Sequence, residues 1–457
     1  MRNIFIALVM AFGLAAITAA QEKSELLSLQ QAIAGGLQHS PQHKAALAET
    51  RIAKADFKES RSFFFPRVDF AETATRSNDP VYVFGTRLRQ GRFTAADFAL
   101  NQLNSPKPIG NFATRFGAQW TVFDSFATLF TARRMKELRQ ASEEKLARSD
   151  QLIVFHVIKT YYAALFAQRQ ADLAEHAAAT AQASADQSRS RMEAGTVVES
   201  DYLAAQVELA GRQQDLVRAR NAVELSYAEL DVAMGVSPNR QFQLTDEMVE
   251  TAWPPLVLLE AESRALKQRS DLKEVAARVK AGDEGVKATR SAFGPRIAAF
   301  ADSELDNVSL FGNGSNNWMA GAELRIELFS GGQKTAALSR ARADLELNQA
   351  LQQSAEDQVR LEVRRAFYDH DSARRTLEVS KAAVTQAEEG LRIVSNRYGA
   401  GMTTITDLLR AEDAARQART NYWEAVYRCA VSYAALRLAG GDLTADSMNL
   451  RSPGVAQ

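Results

Sequence analysis

Cysteine is nearly absent, and the single Cys429 excludes any disulfide within the chain. Five scattered histidines leave little for a metal cage, so neither a metal nor a cofactor is expected. Net charge is missing as well, with 55 basic side chains against 55 acidic ones. A nucleic-acid binder carries a basic stripe and a membrane-surface protein a polybasic cluster, so both classes are disfavoured. Prolines are few and unevenly placed, and residues 109–237 and 296–452 contain none. Proline costs about 3 kcal/mol inside a helix, so both spans are open to very long helices. Beyond residue 21 no run of 18 or more apolar residues occurs, which excludes a membrane-spanning helix there. The apolar content, 46%, is nevertheless ample for a core and excludes wholesale disorder.

The one apolar run lies at the start. Residues 1–20 read MRNIFIALVMAFGLAAITAA: one arginine, an apolar stretch from Ile4 to Leu14, then small residues. This is the pattern of a secretory signal peptide, with cleavage expected after Ala20. An exported chain without a spanning helix enters a membrane only as strands of a closed barrel.

Reading the chain against itself exposes a duplication. Pro41–Val68 matches Ser270–Ile297, pairing Arg61-Ser62 with Arg290-Ser291 and Pro66-Arg67 with Pro295-Arg296. Phe123–Gly235 matches Phe329–Gly441 without a gap, pairing Tyr162 with Tyr368, Arg191 with Arg397, Asp201 with Asp407 and Tyr227 with Tyr433. A repeat this long is no solenoid. The expected division is a first repeat at 21–235, a linker at 236–255 rich in Pro and Trp, a second repeat at 256–441 and a tail at 442–457.

Each half is expected to run helix, strand, loop, strand, very long helix, turn, long helix. Pro66 and Pro295 stop the first helices and hand over to strands at about 67–75 and 296–305. The return strands, about 112–123 and 318–328, alternate strictly. Phe112, Thr114, Phe116, Ala118, Trp120 and Val122 fall on one face, against Ala113, Arg115, Gly117, Gln119 and Thr121 on the other. Trp318, Ala320, Ala322, Leu324, Ile326 and Leu328 repeat the pattern against Met319, Gly321, Glu323, Arg325 and Glu327. Period two over this length, after an export signal, points to membrane β-strands. Trp120 and Trp318 are then expected to face lipid or its interfacial belt.

The long helices are expected at 126–195 and 332–401, each roughly 105 Å at 1.5 Å per residue. Val154, Ile158, Tyr161 and Leu165 form one apolar stripe; Phe155, Tyr162 and Phe166 form a second, which calls for two packing neighbours. Return helices follow at 200–234 and 406–440, after turns at Gly195 and Gly401. Glycine there accepts the left-handed conformation that ends a helix. Four strands cannot close a membrane barrel, which needs at least about eight, so the chain must assemble with copies of itself. Three copies supply twelve strands and six very long helices.

These residues together resemble the TolC-like outer-membrane efflux duct family. The resemblance is carried by the duplicated junctions Phe63-Phe64-Phe65-Pro66-Arg67-Val68 and Ala292-Phe293-Gly294-Pro295-Arg296-Ile297. It is carried also by Val122-Phe123-Asp124-Ser125 and Leu328-Phe329-Ser330-Gly331-Gly332. Most specific are the turns, Arg191-Met192-Glu193-Ala194-Gly195 with Ser200-Asp201-Tyr202-Leu203, and Arg397-Tyr398-Gly399-Ala400-Gly401 with Thr406-Asp407-Leu408-Leu409. The resemblance covers about residues 25–440. It implies a mainly α fold with a membrane β-barrel part: a homotrimer with a 12-stranded barrel in the outer membrane, continuous with a helical tunnel through the periplasm. It implies docking of the turns, here Gly195, Thr196, Val197, Val198, Gly401, Met402, Thr403 and Thr404, onto a periplasmic adaptor and an inner-membrane pump of the RND or ABC type. It implies a periplasmic gate at Tyr398 and Asp407, which Asp201 matches in the first half. Two positions depart from the family pattern: Thr403 stands near the place of a basic gate residue, and Arg410 stands where a second aspartate sometimes occurs. Crowding of Asp201 and Asp407 from three chains is expected to raise some of their pKa values.

No Walker loop, Ser-His-Asp order or HExxH occurs, so no enzyme is expected. His370-Asp371 is expected to be solvated mid-helix, and Cys429 to be a core residue. One competing function is a periplasmic coiled-coil adaptor without a pore, which would have one hairpin rather than a duplicated one. An exported hydrolase is the other, and it lacks a nucleophile–base set.

Overall fold

Two 67-residue helices, Ala127–Glu193 and Gln333–Gly399, are each about 100 Å long. The computed structural model describes residues 25–238, 242–254 and 257–444. The expected signal peptide at 1–20, part of the linker and most of the tail lie outside the described residues. The first half comprises β1 (Glu25–Leu27), α1 (Leu29–His39), α2 (Pro41–Ser62), β2 (Arg67–Ser77), α3 (Pro80–Arg89), a 3-10 turn (Ala95–Phe98), α4 (Leu100–Asn104), β3 (Ile109–Phe123), α5 (Ala127–Glu193) and α6 (Glu199–Met234). After β4 (Phe242–Leu244), the second half comprises α7 (Leu258–Gln268), α8 (Ser270–Ser291), β5 (Arg296–Asn307), β6 (Ser315–Arg325), α9 (Gln333–Gly399) and α10 (Ile405–Gly440).

The duplication is visible in how helices abut. Gly235 ends α6 with φ of +74° against His39 and Ser40, where α2 begins. Gly441 ends α10 with φ of +79° against Arg269, where α8 begins. A Cβ at either glycine would sit 2.8 Å or less from its neighbour, so each half stacks a short helix end-on upon its return helix. Strand and long helix also join alike in both halves, through two successive left-handed residues: Ser125-Phe126 in one, Gly331-Gly332 in the other. The first pair is not glycine, and the Phe126 ring packs on Phe123 and Phe130 instead.

The main core lies midway along the helices. Val157, Ile158 and Tyr161 of α5 are wholly enclosed, among Ile33 of α1, Leu230 of α6 and Cys429 of α10. Each such aliphatic side chain contributes about 1.5–3 kcal/mol by leaving water. The second stripe of α5 also reaches α10, with Phe166 stacked on Tyr427 at 5.5 Å. The parallel pair β1–β4 straps this level. Tyr161 Oη donates to Asp246 at 2.6 Å and lies 3.0 Å from the Leu27 carbonyl. Burial and that hydrogen-bonded carboxylate push the tyrosine pKa upward. His370 is a correction to the sequence expectation: it is buried, with Nδ1 3.1 Å from Ser432 Oγ and its ring beside Tyr433. Burial, aided by Arg374, lowers its pKa. Helix α10 covers that face of α9, which sequence around His370 alone does not reveal.

The four long strands form one antiparallel sheet in the order β2-β3-β5-β6. Register sorts their side chains. Val68, Phe70, Phe116, Ala118 and Trp120 share one face with Ala299, Ala301, Trp318, Ala320, Ala322 and Leu324. Arg67, Asp69, Arg115, Asp302, Glu304, Asp306, Glu323 and Arg325 lie on the other. Each face has an exception. Glu72 sits on the apolar side and accepts a hydrogen bond from Thr114 at 2.6 Å. Phe300 sits on the polar side, covering Gly321. Strand β6 stops at Arg325 although Ile326 and Leu328 continue the alternation, because its partner β5 begins only at Arg296, after Pro295. Within the chain, β2 and β6 pair on one side only, so the sheet ends in two open edges.

Candidate functional site

The ends of the long helices farthest from the sheet carry two matching turns. Helix α5 closes through Gly195, φ +69°, with Gly195 N donating to the Met192 carbonyl and Thr196 N to the Arg191 carbonyl, both at 2.9 Å. Helix α9 closes through Gly401, φ +73°, with bonds to the Tyr398 and Arg397 carbonyls at 3.0 and 2.9 Å. A side chain at either position would strain the backbone, since only glycine takes this conformation freely. The space around both glycines is open. Thr196, Val198, Met402 and Thr404 are exposed, whereas Val197 and Thr403 are half-buried. Thr403 is drawn in by donating to Asp407 Oδ2 at 2.8 Å.

The two turn aspartates are not equivalent. Asp407 belongs to a reciprocal cap: its backbone N–H donates to Thr404 Oγ1, and its carboxylate accepts from the Thr404 N–H and hydroxyl. In the first half Val198 occupies the capping position, so Asp201 has no such box. The signal was readable, because Thr404-Ile405-Thr406-Asp407 has capping-box spacing and Val198-Glu199-Ser200-Asp201 does not. The Thr404 hydroxyl, then the Thr403 hydroxyl and the Thr404 N–H, hold the Asp407 carboxyl below the usual carboxylate range. Within one chain the surroundings of Asp407 therefore act in the direction opposite to the rise expected from crowding.

Tyr398 is only 8% exposed and packs on Ile405 and Leu408 of its own hairpin, beside Leu391 and Val394. The Arg191 guanidinium lies 4.9 Å from its ring centre, a cation–π contact reaching from α5 to α9. Sequence reading put no cation on Tyr398; the fold supplies one from the other hairpin. A second tie lies further along. Arg212 of α6, 14% exposed, meets Glu208 at 2.5 Å, Asp215 at 3.2 Å and Asp413 of α10 at 3.0 Å. Beside it, burial and the nearby Glu208 push the Glu412 carboxyl up. The hairpins α5–α6 and α9–α10 are thus fastened at their tips by two arginines from the first half.

Trp120 and Trp318 lie on the same apolar sheet face, and the Trp120 indole N–H donates to the Phe64 carbonyl at 3.0 Å. Phe63, Phe64, Phe65, Phe293 and Phe329 are exposed where sheet meets helices, forming an apolar collar at that level. Among the described residues, no helix is long and apolar enough to cross a membrane.

The sequence profile of the outer membrane efflux protein family matches residues 32–236 and 262–442. The alkaline protease secretion protein AprF of Pseudomonas aeruginosa is 24% identical over 91% of this chain and 84% of its own. The outer membrane protein TolC of Vibrio cholerae is 25% identical over 70% of this chain and 74% of its own. Among solved structures, the Vibrio cholerae outer membrane protein VceC superposes with a TM-score of 0.75 at 20% identity, over 90% of this chain and 96% of that one. The Campylobacter jejuni CmeC outer membrane channel gives 0.77 at 17% identity, over 91% and 85%.

Proposed function

The chain belongs to the outer membrane efflux protein family, and from that membership we propose that three copies close one continuous export duct, gated at the helix tips. It is an outer-membrane channel that extends into the periplasm, and its family is one of transport channels rather than enzymes. A pore-less adaptor is not supported. The observation that carries the trimeric duct is the sheet: four strands, one apolar face and two open edges, joined to helices of about 100 Å. Lipid tolerates no open strand edge, and copies arranged about an axis satisfy every edge at once. The apolar face then meets lipid and the charged face lines the lumen.

In this reading the turns at Gly195–Val198 and Gly401–Thr404 dock a periplasmic adaptor and, with it, an inner-membrane pump. The division into residues 21–235 and 256–441 gives each chain two such docking hairpins. Tyr398, Asp201 and Asp407 line the periplasmic entrance, and Arg191 and Arg212 hold the hairpins of one chain together there. The name of AprF points to secretion of a protein and the family's name to efflux, and a passive wall suits either.

Planar-bilayer recording of the purified channel tests the gate. Arg212→Glu sets a fourth carboxylate among Glu208, Asp215 and Asp413, and is expected to raise the open fraction about tenfold, roughly 1.4 kcal/mol in the closed–open balance. Asp201→Asn with Asp407→Asn is expected to lower cation preference, because a ring of carboxylates favours cations. Unchanged open fraction and unchanged reversal potential would reduce these residues to helix-end stabilisers.

A further inference from the structure

The segment joining β2 to β3 is far longer than the few residues a hairpin needs. It holds α3, the 3-10 turn and α4, whereas the β5–β6 hairpin turns within residues 308–314. The other ends of these strands run into the long helices, so this segment sits at the outer end of the sheet. It is a folded unit. Phe84, Phe93 and Phe98 pack edge-on at 4.7–6.3 Å, Arg87 is ion-paired to Asp97, and Thr94 and Asp97 form a capping box.

Its placement is the telling feature. Helix α3 does not project away from the strands but folds back over β5 and β6. Arg89 Nη1 meets Glu304 at 3.1 Å, and Asn317 Nδ2 donates to the Arg89 carbonyl. Gln90, 7% exposed, donates to Asn111 Oδ1 at 2.8 Å and to the carbonyls of Gly110 and Asn307. Asn111 in turn donates to the fully buried Asp306 at 2.5 Å. Glu304, Asp306, Asn317 and Asn111 all lie on the polar sheet face. A buried amide with three acceptors fixes one geometry, because leaving such a donor unpaired is costly.

We propose that residues 78–108 form an outer constriction of the pore, a size-selecting element separate from the helix tips, pinned inside the lumen by Arg89 and Gln90. This rests on the reading of the polar face as the lumen wall. Three such segments, one per chain, converge on the outer mouth, and Val81, Leu88, Phe98 and Leu100 give each an exposed apolar side. A pore diameter set by side chains and a folded segment selects by size.

The test uses cells displaying the full chain in a Cys429→Ser background with Ala71→Cys, which lies on the polar face of β2 level with Arg115. Two membrane-impermeant maleimides are added from outside, one small and one carried on a polyethylene glycol chain. Rates are normalised to a chain bearing Asn313→Cys in the exposed β5–β6 turn. With the segment intact, the small reagent is expected to label Ala71→Cys and the polymer to label it slowly. With Arg89→Ala and Gln90→Ala, or with residues 80–104 replaced by a short Gly-Ser link, polymer labelling is expected to rise by about tenfold or more. Equal polymer rates with and without the segment would overturn the constriction while leaving the duct standing. No labelling of Ala71→Cys in either background, with labelling of Phe70→Cys instead, would overturn the lumen assignment and the constriction with it.

Discussion

Arginine at Ala320 is expected to abolish the heat-resistant oligomer in the outer membrane, whereas arginine at the adjacent Met319 leaves it intact. The two residues are neighbours in the middle of β6 and point to opposite faces. Ala320 stands beside Ala301 on the apolar face; Met319 stands beside Asp302 on the polar one. Arginine on a lipid face near the bilayer midplane costs about 2–4 kcal/mol. Three copies bring the total to roughly 6–12 kcal/mol, comparable with the whole stability of an ordinary domain. At Met319 the same charge enters a wet lumen near a carboxylate. Gel migration of unheated membrane extracts reads both outcomes, and equal loss in the two variants would remove the face assignment.

Arg269→Met is expected to give a large loss of stability from a single change in the helical part. Arg269 is 2% exposed where α8 meets the end of α10. It pairs with Asp271 at 2.5 Å and Glu362 at 2.8 Å, and donates to the Ala439 carbonyl at 3.3 Å. Removing it leaves Asp271 with Arg148 at 3.6 Å as its cation, leaves Glu362 with the neutral Gln358 amide, and takes the donor from a helix-end carbonyl. Both carboxylates keep some contact with water, at 33% and 38% exposure, so the cost is about 2–4 kcal/mol per chain rather than the full value for a sealed pair. Acid sensitivity follows from the same cluster. Desolvation raises the Asp271 carboxyl pKa, but hydrogen bonding and charge from Arg269, with Arg148 nearby, outweigh it and the net direction is down. A carboxyl depressed in the folded state takes up its proton first when unfolded. Its stabilising contribution is therefore complete above pH 3.8, the ordinary value, and is lost as the pH falls below it. Thermal dissociation followed against pH is expected to show a lower midpoint and a shallower acid slope in the variant. An unchanged midpoint would contradict the role given to Arg269.

What the sequence made legible is what is local. Proline-free spans and helical composition announced two helices of exceptional length, and Pro66 and Pro295 announced where strands begin. Alternation of Trp120 and Trp318 with polar neighbours placed both on one face, as the register has them. Contacts between the hairpins were not legible, since they join residues hundreds of positions apart with no pattern linking them. Arg191 and Arg397 look alike in the repeat, yet only the former lies over Tyr398. The fold-back of α3 onto Glu304 and Asn317 was equally hidden, because a polar surface helix reads the same wherever it packs.

Closure by three is the claim on which the duct stands, and cross-linking the open edges tests it most directly. Thr73→Cys in β2 and Met319→Cys in β6 place one thiol on each edge strand, both on the polar face. Combined in one chain lacking Cys429, they are treated in intact outer membranes with a short flexible bis-maleimide. If the edges of neighbouring chains pair around an axis, denaturing gels show monomer, dimer and trimer, and the ladder stops at three. A ladder running on to higher multiples, or a chain that stays monomeric while both thiols react, would contradict the account.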